Sequence, residues 1–123
     1  MSNLKWLKWA VARHLRQRGY TVTSKSIRAG NAATDGEVVG GSWRLALELK
    51  SSGDDLIRGV DQLMEALCNG YSQGAMVTTM RRAKSIKPEV FDRTGLILLG
   101  VDSQANVHQV YPTYASPEAE RLG

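Results

Sequence analysis

The sequence predicts an α/β fold in which a central mixed β-sheet is flanked by helices, in the order α-β-β-β-α-β-α-β. Two stretches repeat apolar residues at helical spacing, and a glycine-rich turn separates two segments that read as strands. Helical crossovers between the later strands favour parallel neighbours, whereas a tight glycine turn produces an antiparallel pair. At 123 residues the chain fits one such domain. We expect residues 1–114 to form this domain and residues 115–123 to be a polar tail.

The first helix is predicted from its apolar spacing and from Gly19, which is placed to end it. The residues at helical spacing are Leu4, Leu7, Val11 and Leu15. Residues 20–23 then read as a short strand, and a polar loop containing glycine follows through Thr34.

A β-hairpin is predicted next, with strands at Asp35–Val39 and Trp43–Lys50. The connecting residues Gly40, Gly41 and Ser42 suit a tight turn, because glycine adopts the positive φ that such turns require. The start of the first strand should therefore lie beside the end of the second.

A second amphipathic helix follows, for which Asp54 and Asp55 offer N-cap oxygens, and it should end near Asn69 and Gly70. Its predicted apolar stripe consists of Leu56, Ile57, Val60, Leu63, Met64 and Leu67.

The last third of the chain alternates strand and helix signals. Ala75–Thr79 reads as a buried strand, and residues 81–93 as a basic helical segment interrupted at Pro88. Leu96–Val101 is an apolar strand with which Val107–Tyr111 is expected to pair.

Composition excludes several classes of protein. No apolar run approaches the roughly 20 residues of a membrane span, and no signal-peptide pattern opens the chain. Cys68 is the only cysteine, which excludes an intramolecular disulfide and a cysteine-built zinc site. We therefore expect a cytoplasmic, intracellular protein with no membrane partner.

Charge is unevenly distributed along the chain. Residues 1–34 carry a charge of +7 with no Asp or Glu, whereas the remainder carries −3. Such a basic lobe suits a protein that holds a polyanion, and DNA is the partner we expect. The alternative from charge alone is a solvated basic helix.

Glu48 and Lys50 end an otherwise apolar strand, and their spacing places both side chains on one face of it. The hairpin brings Asp35 to the same end. Burying such charges is costly unless they pair or bind a metal ion. The alternatives are therefore a structural salt bridge between strands and a catalytic metal centre.

The residues of this cluster suit phosphodiester hydrolysis. The carboxylates of Asp35 and Glu48, with the backbone carbonyl of Leu49, are the hard oxygen ligands that Mg²⁺ or Mn²⁺ prefers. Lys50 could orient the attacking water or stabilise negative charge in the transition state.

Residues 35–50, DGEVVGGSWRLALELK, resemble the core of the PD-(D/E)xK nuclease superfamily, and their layout is similar to archaeal Holliday junction resolvases. The resemblance implies a restriction-endonuclease-like fold and a Mg²⁺- or Mn²⁺-dependent DNA endonuclease, possible junction resolution included. It also implies active-site roles for Asp35, Glu48 and Lys50.

The sequence departs from the superfamily pattern at three places. Residues 1–34 contain no acid, although many members carry a glutamate on the first helix. Thr34 stands where the pattern has proline, and Glu37 where it has an apolar residue. Glu37 is accordingly an accessory ligand candidate or a solvated strand residue. The absent glutamate motivates an alternative function, a nucleic-acid-binding or assembly module that retains the fold but does not cut.

Gln62 is a second accessory candidate, because some members of the superfamily place a glutamine on the helix after E-x-K. The helical wheel places it at the margin of the sheet-packing face or on the surface, and we expect a solvated side chain.

Basic and aromatic residues supply the expected binding surfaces. The DNA-contacting candidates are Lys5, Arg13, Arg16, Lys25, Arg28, Arg81, Arg82 and Lys84. Trp6 and Trp9 are expected on the outer side of the first helix, where they could stack on bases, pack under another segment or hold a dimer. We expect a homodimer, because paired cuts need two centres.

Overall fold

A six-stranded mixed sheet with helices on both faces forms the frame of this computed structural model, which describes residues 4–113. The elements are α1 (Leu4–Gln17), β1 (Thr21–Thr23), β2 (Ile27–Ala29), β3 (Ala32–Thr34), β4 (Gly36–Gly40), β5 (Trp43–Leu49), α2 (Leu56–Cys68), β6 (Gln73–Thr79), α3 (Met80–Ala83), α4 (Glu89–Thr94), β7 (Ile97–Val101) and β8 (Val107–Tyr111). The predicted α/β class with a flanked mixed sheet is confirmed. The tail predicted at 115–123 lies outside the described residues.

The strand order is β1-β4-β5-β6-β7-β8. The three central strands β5, β6 and β7 run parallel, because α2 and then α3 and α4 carry the chain back between them. Hairpin partners are antiparallel at both sides, with β4 on β5 and β8 on β7. The predicted pairing of residues 107–111 with the preceding strand is confirmed.

Two apolar layers hold the helices on the sheet. Beneath α1, the buried Leu7, Val11 and Leu15 meet Leu45 and Leu47 of β5. The opposite face of the same sheet packs under α2. Its buried residues include Ala46, Leu63, Ala66, Met76 and Leu98. The alternation along β5 thus sends Leu47 and Leu49 toward α1 and leaves Glu48 for the α2 face.

The stretch before the hairpin differs from the prediction. Residues 24–34 were expected to form a loop, but β2 and β3 pair antiparallel within it, with Gly30 turning at φ 67°. Thr34 is buried, and its hydroxyl donates toward the carbonyl of Ile27. Strands of three residues are too short to show the alternation from which strands are recognised.

Only part of the apolar stripe predicted for the second helix contacts the sheet. Asp55 alone is its N-cap, accepting from the amides of Ile57 and Arg58, whereas Asp54 accepts from Ser51. Ile57 is 64% exposed and Met64 37%, so their predicted place in the buried stripe is wrong. The helix approaches the sheet through Gly59, Leu63 and Ala66 instead, because small residues allow close packing.

The basic segment 81–93 is split into α3 and α4 around Pro88, as its proline predicted. Gly95 ends α4 in the left-handed conformation, at φ 72°. Within residues 4–113, no helix combines the length and apolar character required to cross a bilayer.

Leu63→Ala should lower the free energy of unfolding by about 2 to 5 kcal/mol, because it leaves a cavity at a fully buried position. Ile57→Ala on the same helix is the matched control and should change it by at most about 0.5 kcal/mol. Urea unfolding of both variants measures the difference. Equal losses of unfolding free energy in the two variants would contradict the burial of Leu63 and the exposure of Ile57.

Candidate active site

Asp35 is held at the point where β4 begins. Its backbone amide donates to the carbonyl of Leu47 at 2.9 Å, and its Oδ2 accepts from the amide of Leu49 at 2.8 Å. One carboxylate oxygen is therefore fixed against the end of β5. The hairpin predicted from Gly40 and Gly41 produces this juxtaposition.

Glu48 is buried on the α2 face of the sheet, with its side chain 2% exposed. The side-chain amide of Gln62, turned with its nitrogen toward the carboxylate, donates to Oε2 at 2.7 Å and Oε1 at 3.2 Å. The expectation of a solvated Gln62 is wrong. With Gly59, Leu63 and Ala66 against the sheet, Ile57 is exposed and Gln62 lies beside Glu48.

Lys50 completes the cluster from one residue beyond β5. Its Nζ lies 3.9 Å from Oε2 of Glu48, and its backbone amide donates to Val77 of β6 at 2.8 Å. Gly59 of α2 makes room for this side chain, because a Cβ there would lie 2.6 Å from Cε of Lys50. The structure thus brings together the three residues predicted to form the centre.

The electrostatics of Glu48 differ from those of a simple ion pair. Burial first and the neighbouring carboxylate of Asp35 second raise the pKa of Glu48 to about 8, and Lys50 only partly opposes them. The Lys50 distance is also at the outer limit of an ion pair. Near neutral pH the folded protein therefore keeps a proton on Glu48, and the charged form of this carboxylate is only partly compensated.

The cluster opens into a cleft of about 440 Å³. Its lining includes Asp35, Glu48, Lys50, Gln62 and two residues that sequence reasoning missed, Ser26 and Arg58. Arg58 is an exposed cation on α2, and only the packing of that helix places it at the cleft. No signal in the sequence distinguished it from a solvated helical arginine.

Glu37, the accessory ligand candidate, belongs to a different network. Its carboxylate accepts from the hydroxyl of Tyr71 at 2.7 Å and from Arg44 at 3.1 Å. The Tyr71 bond is the main reason that the pKa of Glu37 is lowered. Glu37 is therefore neither a member of the cleft nor a solvated residue. Within residues 4–113, no group of three or more His, Cys, Asp or Glu side chains is arranged as a metal site.

Arg82, one of the predicted DNA contacts, also has a structural place. Its guanidinium donates to the backbone carbonyls of Ser51 and Asp54. These bonds fasten the loop that directly follows Lys50. The role of Arg82 as a DNA contact stays a prediction.

The other predicted DNA contacts lie on separate surfaces. Lys5, Arg13 and Arg16 line one broad opening along α1, and Arg81 and Lys84 line another beside Trp6. Lys25 and Arg28 are exposed in the strand-and-turn segment before the hairpin. Two of the α1 cations also make internal bonds, as Arg13 donates to Ala105 at 3.1 Å and Arg16 to Val22 at 2.9 Å.

The two tryptophans of α1 have different environments. Trp6 is partly buried and packs against the core beneath α1, so its predicted position on the outer side is wrong. Trp9 is 52% exposed, and the guanidinium of Arg13 lies 4.3 Å from its ring centroid. One indole thus remains available to a partner.

Comparisons with known proteins show the fold. No protein-family model matches the sequence, and no curated protein matches it at a significant level. The SPO1766 protein of unknown function from Silicibacter pomeroyi has a TM-score of 0.66 at 20% identity, over 89% of this chain and 70% of its own. A second protein of unknown function, AF1548, has a TM-score of 0.60 at 19% identity, over 78% of this chain and 57% of its own.

A third solved structure with this fold is an XisH family protein from Nostoc punctiforme PCC 73102. Its TM-score is 0.57 at 14% identity, over 84% of this chain and 96% of its own. TM-scores of 0.57 to 0.66 at identities of 14% to 20% show a shared overall fold.

Glu48→Gln should raise the free energy of unfolding at pH 8.5 relative to the native chain. Because the folded pKa of Glu48 is about 8 and its ordinary value is 4.5, the folded state keeps a proton that the unfolded chain releases. That proton's stabilising effect is complete below pH 4.5 and is lost as the pH rises through about 8. Urea unfolding between pH 5 and pH 9 measures the effect, which should shrink toward pH 5.

Glu37→Gln is the matched control with the opposite sign. Its carboxylate has a lowered pKa, so its charge stabilises the fold above the ordinary value and this effect is lost as the pH falls. The variant should be less stable than the native chain at pH 7. A Glu48→Gln variant that is destabilised at pH 8.5 would contradict the electrostatics described above.

Proposed function

We propose that this protein is a metal-dependent DNA endonuclease whose centre consists of Asp35, Glu48 and Lys50. The observation that supports the proposal is the convergence of two carboxylates and an ammonium group at one strand end, inside an open cleft. Glu48 is buried beside the Asp35 carboxylate, and a bound divalent cation would favour the charged form of both groups more than the lysine at 3.9 Å does.

The residues present fit a divalent ion of the magnesium class. Asp35, Glu48 and the backbone carbonyl of Leu49 would hold Mg²⁺ or Mn²⁺, which binds through one or two carboxylates with substrate phosphate oxygens completing its shell. When bound, the ion supplies charge neutralisation at the phosphate. The single missing acid on the first helix is compatible with this count of ligands.

Each side chain around the proposed ion has a different role. Asp35 is oriented by the Leu49 amide, so only its second oxygen is left for an ion. Gln62 holds the Glu48 carboxylate in place through both oxygens. Lys50 supplies its ammonium group to the phosphate or to the attacking water, and Gly59 leaves it the space to extend along α2.

DNA is proposed as the substrate because cations adjoin the cleft. Lys5 and Lys8 line an opening of about 270 Å³ that they share with Asp35 and Leu49. Phosphate contacts of this type position a duplex or a junction without reading its bases. A homodimer would supply two such centres for paired cuts, as junction resolution requires.

The alternative is a nucleic-acid-binding module that does not cut. It is favoured by the two-carboxylate count, because no described group of three or more His, Cys, Asp or Glu side chains could hold a metal ion. Asp54 and Asp55 also line the cleft, but they accept from Ser51 and from the first amides of α2. Labelled linear, nicked and four-way-junction DNAs, incubated with Mg²⁺ or Mn²⁺, discriminate the two functions. Binding of all three without cleavage of any would support the alternative.

Lys50→Met should reduce cleavage by about 10²- to 10³-fold while Mn²⁺ binding persists or strengthens. The ammonium competes with a cation for the same carboxylates, so its removal does not weaken the ion's site. A plasmid-nicking assay and calorimetric Mn²⁺ titration measure the two effects. Cleavage that survives undiminished would sink the proposed role of Lys50.

Asp35→Asn is the paired variant in these two assays. Its amide oxygen can still accept from the Leu49 amide, so the strand end should keep its geometry while a charged ligand is lost. We expect both Mn²⁺ binding and cleavage to disappear. Native cleavage that continues in excess chelator would exclude a metal-dependent reaction.

Gly59→Ala should reduce cleavage while leaving the free energy of unfolding almost unchanged. The added Cβ would displace the ends of the Lys50 and Met76 side chains, whereas alanine is the better helix former by about 1 kcal/mol. We expect a free energy of unfolding within about 1 kcal/mol of the native value and cleavage reduced at least tenfold. Gly53→Ala is the control, because nothing lies within 4 Å of its added Cβ.

A further inference from the structure

A continuous basic surface leads away from the candidate active site along α1. Asp35 and Leu49 line the 270 Å³ opening together with Lys5 and Lys8. The same two lysines line a second opening of about 810 Å³ with Trp9, Arg13 and Arg16. Lys5 and Lys8 therefore connect the carboxylate cluster to an exposed indole, and we call this surface the α1 groove.

Trp9 is a fixed platform within the α1 groove. The Arg13 guanidinium lies 4.3 Å from its ring centroid, and Arg13 is itself anchored by a 3.1 Å bond to the carbonyl of Ala105. The ring is thus supported by a cation that the β7–β8 turn holds in place. Even so, half of Trp9 is exposed to solvent. A preorganised exposed indole among cations suits a partner that combines flat ring systems with negative charges.

We infer that the α1 groove binds an unpaired DNA strand, with one base stacked on Trp9, continuous with the strand whose phosphate reaches Asp35. Bases inside a duplex are already stacked and do not offer their faces to an indole, whereas those of a single strand do. The lysines and Arg16 would track the phosphates of this strand. The inference rests on the proposed function, because the position of the cleft determines where the bound DNA strand would continue.

The length of the groove fits a short single-stranded segment. From Lys5 to Arg16 the helix rises about 16 Å at roughly 1.5 Å per residue. That length accommodates a few nucleotides of an extended single strand. The favoured substrate is therefore DNA with an unpaired segment of a few nucleotides beside the scissile phosphate, such as a tailed or branched duplex.

Fluorescence anisotropy in chelator tests the inference without requiring cleavage. The probes are a blunt duplex and the same duplex with a five-nucleotide single-stranded tail. Trp9→Leu should weaken binding of the tailed duplex about ten- to a hundredfold and leave blunt-duplex binding within about twofold. Trp9→Phe, which keeps an aromatic face, should recover part of the loss. Met64→Ala, an exposed apolar residue of α2, is the control and should change neither affinity.

Lys8→Gln separates stacking from charge. It should lower the log-log salt slope by roughly one for the tailed probe and retain the preference for tailed over blunt duplex. Equal losses for both probes in Trp9→Leu, or no loss for either, would overturn the inference. A change of oligomeric state in Trp9→Leu, measured by sedimentation, would also overturn it, since Trp9 would then be an interface residue.

The outcomes distinguish this inference from the proposed nuclease. A Trp9-dependent preference for tailed DNA, in protein that cleaves nothing in Mg²⁺ or Mn²⁺, supports the groove and removes the nuclease. Metal-dependent cleavage without any Trp9-dependent preference supports the nuclease and removes the groove.

Discussion

The hydrogen bond from the Leu49 amide to the Asp35 carboxylate joins the beginning of β4 to the end of β5, and the candidate site depends on it. Because β5 is also paired with β6 through a parallel ladder, this bond ties a carboxylate to a strand in the interior of the sheet. Glu48 and Lys50 emerge from the same strand end. Strand alternation then decides that both face α2 while their leucine neighbours face α1.

Burial of Glu48 is the energetic counterpart of that geometry. A carboxylate 2% exposed beside another carboxylate is held in its charged form only at a cost, which its raised pKa expresses. Gln62 and Lys50 compensate for part of this cost. Glu37 behaves differently, since its Oε2 accepts from both Tyr71 and Arg44 and its pKa is lowered. The contrast separates Glu37, whose charged form two partners stabilise, from Glu48, whose charged form is costly in the fold.

The helices on the two faces of the sheet contribute differently: α2 packs against the candidate site, and α1 exposes cations and an indole. Arg82 fastens the loop after Lys50 through backbone carbonyls, and Gly59 leaves Lys50 room beneath α2. On the opposite side, α1 combines a buried stripe with a row of cations and one exposed indole. Asp35 is reached from both sides, because it lines the cleft under α2 and the opening beside α1. The strand end is thus shared by the proposed chemistry and the proposed binding surface.

Local pattern in the sequence determined the class of fold, most element positions and the cluster of Asp35, Glu48 and Lys50, because strand alternation and a two-glycine turn act over a few residues. Tertiary packing alone decided the rest. The face of α2 that meets the sheet is centred on Gly59, Leu63 and Ala66, which leaves Ile57 exposed and places Gln62 beside Glu48. Partners distant in the chain gave Arg82 and Glu37 structural places, and the burial of Trp6 but not Trp9 depended on which neighbours covered α1. Helical periodicity states that a face is apolar, but the depth of each residue on it is set by the surface against which the helix packs.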